Sequence, residues 1–207
     1  AASASASASR DHSADGRQSQ KTSQPIILVP KAPSSLVNIL NVKELLEKGV
    51  FKTPEEKRQE KAKREERVTV VHEEGGHNYH YKVVDNAKEI SRDQWDRVVA
   101  VFVQGPDWQF REYNLDFYRP CGPDGRPTSH APGTVVNMLA KVPGFHVTYA
   151  KEALHENIPK WKVTTMPVHK TNRHTDQMVM NKFWETLKAQ GRLMSQQKAK
   201  ASLLSGR

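Results

Sequence analysis

Residues 97–104 read RVVAVFVQ, which is the most apolar stretch of the chain. The run is too short for a buried helix, and its β-branched residues favour a strand that is covered on both faces. Gly105 and Pro106 follow directly and end the strand. We therefore place this strand at the centre of a mostly parallel sheet.

A second buried run lies nearer the amino terminus. Ile26–Val29 stands between two prolines and is short, apolar and β-branched, which is typical of another buried parallel strand. The apolar residues after it recur at spacings of three to five, which predicts an amphipathic helix of about 12 residues. Ser34 or Ser35 would cap this helix and Gly49 would end it. Residues 53–67 carry alternating charges and predict an exposed second helix.

The remaining segments complete an α/β pattern. Val68–Val71 and Tyr79–Val84 flank Gly75 and Gly76, which predicts a hairpin. A segment rich in proline and glycine without a hydrophobic period is predicted to be a loop insertion on the surface, at residues 111–133. The last elements are predicted as a helix at 134–141, strands at 145–149 and 161–168, and a helix at 172–189. This order predicts a three-layer α/β fold, with helices on both faces of the sheet.

Composition divides the chain into three parts. Residues 1–24 are a low-complexity Ala/Ser stretch, which we expect to be a disordered linker. Residues 25–189 would form one domain, and residues 190–207 a flexible basic tail. The chain begins at Ala1 without an apolar leader, and we interpret it as a fragment of a longer intracellular protein.

Several classes of protein are excluded by composition. The longest aliphatic or aromatic run, Val98–Val103, has six residues, whereas a membrane span needs about 20. A transmembrane protein is therefore excluded. Cys121 is the single cysteine, so that neither an intrachain disulfide nor a cysteine-based zinc site can form.

The positive charge is concentrated at the carboxyl terminus. Residues 160–207 hold 10 basic and 2 acidic side chains, which is +8 of the formal net charge of +9. Such a segment is attracted to phosphate backbones and to acidic protein segments, with a strength that falls as salt is added. The alternative is a solvated tail that keeps the protein soluble. Charge alone does not decide between these two interpretations.

The first turn of the predicted sheet argues against nucleotide hydrolysis. A nucleotide phosphate sits on a glycine-rich turn that leads into a helix. Here the turn is Pro30–Ser35, which contains no glycine and whose two prolines lack N–H donors. Asp85 stands where a magnesium ligand could lie, but no glycine follows it to contact a γ-phosphate, so we interpret it as structural.

Metal binding and nucleophilic catalysis are also disfavoured. His77 and His80 are three residues apart and would point to opposite faces of a strand, so that they and His72 do not predict a shared zinc ion. Cys121 lies in the predicted loop insertion without an activating base nearby in sequence. We predict no catalytic residue, no metal and no cofactor.

Trp108 is the aromatic residue with the strongest indication of a recognition role. The sequence Gly105, Pro106, Asp107, Trp108 places this indole at the mouth of the central strand. The other three tryptophans are interpreted as anchors of the core or its rim.

Four segments together resemble a known family. They are PIILVP from Pro25, NVKELLEKGVF from Asn41, WDRVVAVFVQGPDWQF from Trp95 and FWETL from Phe183. The chain is similar over residues 25–189 to the carboxyl-terminal domain of the parafibromin family, subunits of the polymerase-associated factor complex that accompanies RNA polymerase II. The resemblance implies a Ras-like fold without guanine-nucleotide motifs, and a nuclear scaffold in transcription elongation and chromatin modification. Residues 113–132 and 192–207 depart from the family pattern.

Two functional hypotheses follow. The first is a non-catalytic interaction module. Its expected partners are other subunits of the complex, RNA polymerase II or its phosphorylated elongation factors, and chromatin through histones or nucleic acid. Neither a membrane nor a small-molecule substrate is expected. The alternative is a divergent small GTPase-like protein, which rests on fold analogy alone. The candidate contacts are Trp108, Arg173, His174, Lys182, Lys188, Arg192, Lys198 and Lys200.

Overall fold

Six strands and five α-helices organise the described part of the chain. The computed structural model describes residues 24–65, 67–124, 126–128 and 130–205, with side chains up to Gly191. The strands are β1 (Ile26–Leu28), β2 (Val68–Glu74), β3 (His77–Val84), β4 (Val98–Phe102), β5 (Gly144–Tyr149) and β6 (Thr164–Val168). The helices are α1 (Val42–Lys48), α2 (Pro54–Gln59), α3 (Val135–Lys141), α4 (Asn157–Lys160) and α5 (Asp176–Ser205). The predicted linker at residues 1–24 lies outside the described residues except for Gln24.

The strands form one sheet in the order β2-β3-β1-β4-β5-β6. Only the β2–β3 hairpin is antiparallel among these pairs, so the sheet is mostly parallel as predicted. β1 and β4 are the two central strands. This confirms the central position predicted for residues 97–104 and the buried parallel strand predicted at residues 26–29. Their residues are almost fully buried because both faces of a parallel sheet are covered.

Helices pack on both faces of the sheet, which confirms the three-layer α/β fold. One face is covered by α1 and α5, which bury Leu45, Leu46 and Phe183 against the sheet. The other face carries Met138 of α3 and Ile158 of α4, together with irregular segments. In the part of the chain that the structure describes, no helix has the length and apolarity needed to cross a bilayer.

Two predicted helices are shorter than expected. α1 starts at Val42, whereas the predicted helix would begin directly after a cap at Ser34 or Ser35. The segment before Val42 forms turns instead, because it is held by the Asn41 side chain. Its amide donates to the carbonyls of Leu36 and Lys52, both at 2.7 Å, and its Oδ1 accepts from the Asn38 N–H. These local bonds compete with helix formation.

The second helix, α2, begins at the predicted Thr53 cap, where Thr53 and Glu56 form a reciprocal capping box. It ends at Gln59 and not at Arg67. The reason is Lys61, whose φ of 56° reverses the chain in the left-handed region. The segment between α2 and β2 is therefore an irregular connection.

The last helix is longer than predicted. α5 continues to Ser205, whereas the expectation was an end near Ala189 and fraying after Gly191. A single glycine costs a helix only about 1 kcal/mol, and the residues that follow are mostly good helix formers such as Leu, Met, Gln, Lys and Ala. The backbone of the predicted flexible tail is thus helical over most of its length.

The predicted loop insertion at residues 111–133 is not wholly on the surface. Its first part forms a 3-10 turn at Leu115–Tyr118, and Tyr118 is buried with its hydroxyl donating to the carbonyl of Trp95 at 3.1 Å. Tyr113 packs its ring against the same tryptophan. Burial raises the pKa of Tyr113 to about 12, so its phenol stays protonated. The remainder of the segment, which includes Cys121, is mostly exposed.

Candidate functional site

The carboxyl ends of β1, β4 and β5 meet at one side of the sheet, which we call the carboxyl edge. Ligands of open parallel sheets bind at this edge. After β4 the chain reverses at Gly105, whose φ is 118°, and enters a 3-10 turn at Asp107–Phe110. This turn leaves Trp108 46% exposed, whereas the other three tryptophans are buried. Trp108 is therefore the exposed tryptophan, and its role in recognition stays a prediction.

Trp108 and Ser34 line two open clefts at the carboxyl edge. The first cleft, of about 350 Å³, is bounded by the loop after β1 and by the ends of β4 and β5. Its walls include Val37 and Phe102, with His146 as a polar group. The second cleft, of about 510 Å³, is bounded by the same loop and by the segment after the Trp108 turn. An exposed indole between two recesses is a suitable anchor for a peptide side chain on either side.

His146 supplies a hydrogen-bond acceptor to the first cleft. Its Nδ1 lies 2.8 Å from the carbonyl oxygen of Val103. Burial lowers the pKa of His146, the hydrogen bond to Val103 opposes part of this shift, and the neighbouring His155 lowers the pKa further, so the ring is neutral near pH 7. In a neutral ring Nδ1 carries the proton that this carbonyl accepts, which leaves Nε2 as an acceptor.

The lining of the second cleft holds two carboxylates and two cations. Its two carboxylates are already paired, Asp85 with Arg64 at 2.9 Å and Glu112 with Lys88 at 2.9 Å. Lys31 and Arg111 also line this cleft, and neither lies within ion-pair distance of a carboxylate in the part of the chain that the structure describes. The cleft therefore presents cations beside the Trp108 indole. The Asp85 ion pair agrees with the structural role predicted for that residue.

The loop after β1 lacks the features of a phosphate-binding turn. α1 begins at Val42, several residues beyond Pro30–Ser35, so no helix amino terminus points from this loop. The N–H of Ser35 is used within the loop, where it donates to the carbonyl of Ala32 at 3.2 Å. Pro30 and Pro33 have no N–H. The residues present do not fit the cradle of a nucleotide triphosphate.

The predicted basic contacts do not gather around Trp108. α5 runs from the carboxyl edge to the opposite side of the sheet, the amino edge, where the parallel strands begin. Lys188 pairs there with Glu74 of β2 and lines a cleft with Trp184. Lys182 donates from Nζ to the carbonyl of Thr165 in the edge strand β6 at 2.9 Å.

Arg173 and His174 lie at the start of α5. The Arg173 guanidinium lies over the ring of Phe51, 5.3 Å from its centroid, and 3.5 Å from the Glu56 carboxylate. Arg173 is therefore half-buried and tied to α2, whereas His174 is exposed. Arg192, Lys198 and Lys200 come after Gly191, the last residue whose side chain is described.

The three histidines of the hairpin have different surroundings. His72 stacks on Trp184, with ring centroids 3.9 Å apart and planes at 6°. Burial lowers its pKa, as does the nearby Lys188. His77 and His80 are exposed on β3. Within the described ranges, no group of three or more His, Cys, Asp or Glu side chains is arranged to hold a metal ion.

Sequence reasoning missed four residues of the carboxyl edge: Lys31, Gln109, Arg111 and His146. A usable signal existed for Lys31 and Arg111, because each follows a predicted buried strand. His146 gave none, because it is the second residue of the strand predicted at 145–149. Gln109 gave no such signal, because a lone glutamine next to a tryptophan has no characteristic pattern.

The comparisons with known proteins agree on one family. Residues 21–190 match the family model described as "RNA pol II accessory factor, Cdc73 family, C-terminal". The chain is 31% identical over 170 residues to cell division cycle protein 73 of Caenorhabditis elegans, covering 82% of this chain and 30% of that protein. It is 31% identical over 170 residues to the CDC73 homolog of Arabidopsis thaliana, covering 79% of this chain and 37% of that protein. The chain thus spans about a third of the length of these relatives.

A solved structure, "The conserved domain of yeast Cdc73", has the same fold. It superimposes with a TM-score of 0.64 at 22% sequence identity, over 81% of this chain and 96% of that structure. This likeness shows a shared fold and confirms the Ras-like arrangement that the sequence predicted.

Proposed function

Because the chain belongs to the Cdc73 family of RNA polymerase II accessory factors, whose C-terminal domain it contains, we propose that it is a non-catalytic interaction module of the polymerase-associated factor complex. In this proposal it acts in the nucleus, supports transcription elongation by RNA polymerase II and contributes to the association of the complex with chromatin. Its partners are segments of the polymerase or of its phosphorylated elongation factors, together with other subunits of the complex.

The observation that carries this proposal is the exposed Trp108 between two clefts at the carboxyl edge. A large indole that is left 46% exposed at the ligand-binding edge is typical of a binding hot spot, where tryptophan is strongly enriched. The cations Lys31 and Arg111 stand next to it without a carboxylate partner among the described residues. This combination favours a peptide that carries a phosphate or a carboxylate next to an apolar residue.

The cations of α5 are proposed to act in a different way. Lys182 and Lys188 lie away from Trp108 and already have contacts within the domain. Together with Arg173, His174, Arg192, Lys198 and Lys200, they would attract acidic partners over a longer range, including nucleic acid or acidic histone surfaces. Such attraction between exposed charges is screened by salt, because the Debye length is about 8 Å at physiological ionic strength.

A capture experiment with this chain tests the proposal. The probes are phosphorylated RNA polymerase II, the same enzyme after phosphatase treatment, and nucleosomes, over a series of salt concentrations. Trp108→Ala should weaken capture of the phosphorylated polymerase about 30-fold at every salt concentration, which corresponds to a 2 kcal/mol hot spot. Lys31→Glu with Arg111→Glu should remove the preference for the phosphorylated enzyme. Lys182→Glu with Lys188→Glu should weaken capture at low salt only.

Two results would overturn this function. Capture that is unchanged by Trp108→Ala would remove the carboxyl edge as the contact surface. Retention of nucleosomes without retention of either polymerase sample would make chromatin the direct partner. Calorimetry with GTP, GDP and ATP in the presence of magnesium tests the GTPase-like alternative, and micromolar binding of any of them would favour it.

A further inference from the structure

The Trp108 turn is held in place by hydrogen bonds from two side chains. The turn lies outside regular secondary structure, where a chain is usually mobile unless its backbone groups are bound. Two amide side chains tie this turn to its surroundings. Gln109 of the turn bonds the backbone at the end of β4, and Asn157 of α4 bonds the Gly105 carbonyl and the Asp107 side chain. This arrangement determines where the indole stands before any partner arrives.

Gln109 closes the turn from within. Its Oε1 accepts from the N–H of Gln104 at 2.8 Å, and its Nε2 donates to the carbonyl of Phe102 at 2.7 Å. Gln109 is 8% exposed, so that these two bonds are shielded from water. Both ends of the amide are satisfied, so the turn cannot open without leaving buried polar groups unpaired.

Asn157 holds the same turn from outside. It is the first residue of α4, and its Nδ2 donates to the carbonyl of Gly105 at 3.0 Å and to Oδ1 of Asp107 at 3.3 Å. His155 packs directly against Gly105, where an added Cβ would lie 2.5 Å from the histidine Cβ. α4 is itself fixed in the domain because Ile158 is buried in the core.

We infer that Gln109 and Asn157 are positioning residues that preorganise Trp108 for its partner. The inference rests on the proposed function, in which Trp108 is the anchor. Ordering a mobile side chain on binding opposes association, so an indole that is already held binds more tightly than the same indole on a loose turn. Trp108 supplies the contact surface, and the two amides hold the segment of backbone that carries it between the two clefts.

The test separates the position of the indole from its use in binding. Asn157→Asp keeps the size of the side chain but removes the donor, and Gln109→Met keeps the length but removes both hydrogen bonds. Gln190→Met is the matched control, because Gln190 also donates from Nε2 to a backbone carbonyl, that of Lys141 at 3.3 Å, but at the amino edge. Each variant is compared with the unchanged chain.

The first measurement is the ¹H–¹⁵N NMR signal of each indole, with Trp108 assigned by its loss in Trp108→Phe. The Trp108 indole should show a heteronuclear NOE close to those of the three buried tryptophans in the unchanged chain. This NOE should fall in Asn157→Asp and in Gln109→Met, with no change at the other indoles, and should stay the same in Gln190→Met. Because the NMR measurement needs no partner, it judges the positioning role even if the proposed function fails.

The second measurement is capture of phosphorylated RNA polymerase II by the same variants. Asn157→Asp should weaken capture about tenfold, since the turn must then be ordered on binding. An unchanged Trp108 signal in both variants would overturn the inference. It would also be overturned if the Trp108 indole became mobile in a variant that still captures the polymerase as well as the unchanged chain, while Trp108→Ala weakens capture. If Gln109→Met does not fold, Asn157→Asp alone decides, because Asn157 makes its bonds at the surface.

Discussion

Two tryptophans at opposite edges of the sheet show what separates a structural aromatic from a recognition residue. Trp184 lies at the amino edge and is 6% exposed, and Trp108 lies at the carboxyl edge and is 46% exposed. Each lines a cleft of several hundred Å³. The presence of a cleft beside an aromatic ring therefore does not distinguish their roles.

The contacts of the two rings do distinguish them. The Trp184 indole donates to the carbonyl of Leu46 at 3.0 Å, and its face is covered by the stacked ring of His72. Lys188, which lines the same cleft, is paired with Glu74. At the carboxyl edge it is the backbone of the Trp108 turn that is satisfied, whereas the indole and its neighbouring cations are exposed. A satisfied side chain stabilises the fold, and a fixed but unsatisfied side chain is available to a partner.

The largest expected effect is the loss of Trp184. Trp184→Ala should lower the free energy of unfolding by about 3–5 kcal/mol, because it leaves a cavity against the sheet and an unpaired carbonyl at Leu46. Trp108→Ala should change it by less than about 0.5 kcal/mol, since the ring is exposed. Urea unfolding followed by circular dichroism measures both. Equal losses in the two variants would show that the distinction between the edges is wrong.

A glycine at each edge gives the next largest contrast. Gly105→Ala should destabilise the chain by about 2 kcal/mol, because its φ of 118° disfavours a side chain and the new Cβ would meet His155 at 2.5 Å. Gly75 is the matched control in the β2–β3 turn at the amino edge. It also has a positive φ, of 59°, but nothing lies within 4 Å of an added Cβ. Gly75→Ala should therefore cost only about 1 kcal/mol, and a larger loss there than at Gly105 would contradict the close packing of the Trp108 turn.

The elements that the sequence predicted well are those whose residue pattern is compatible with a single type of secondary structure. The runs at Ile26–Leu28 and Val98–Phe102 are too short and too apolar for anything but buried strands. The pattern that predicted α1 is compatible with two structures, because apolar residues at helical spacing also suit a series of turns. The choice was made by the Asn41 side chain, which bonds to Lys52 beyond the helix, and a spacing pattern contains no information on such a bond.

The candidate site was predictable only in part for a similar reason. Trp108 follows a recognisable strand and glycine, so its exposure could be inferred. Lys31, Arg111 and Asn157 come from separate segments that the fold brings to one edge. The charge asymmetry pointed instead to α5, where Lys182 and Lys188 have internal contacts. Net charge reports long-range attraction, whereas a contact site depends on which charges the fold leaves unpaired.

The smallest expected effect compares one histidine from each edge by their titration. Burial lowers the pKa of both His146 and His72 from the ordinary value of 6.5. A proton then binds the unfolded chain more readily than the folded one, so these residues' contribution to stability is complete above pH 6.5 and is lost as the pH falls through the lower folded pKa. The slope is at most about 1.4 kcal/mol per pH unit for each proton.

His146 should dominate this dependence, because it is 9% exposed and so more fully removed from water than His72. The hydrogen bond to the Val103 carbonyl opposes part of the lowering at His146, and Lys188 adds to the lowering at His72. His146→Asn keeps a donor for that carbonyl without a titrating ring, and should flatten the fall in unfolding free energy between pH 7.5 and pH 5.5, two values that bracket the ordinary histidine pKa of about 6.5. His72→Phe keeps the stack on Trp184 and should flatten it less. Urea unfolding at each pH measures the slopes, and a steeper dependence on His72 than on His146 would mean that the amino edge, and not the carboxyl edge, holds the more strongly desolvated imidazole.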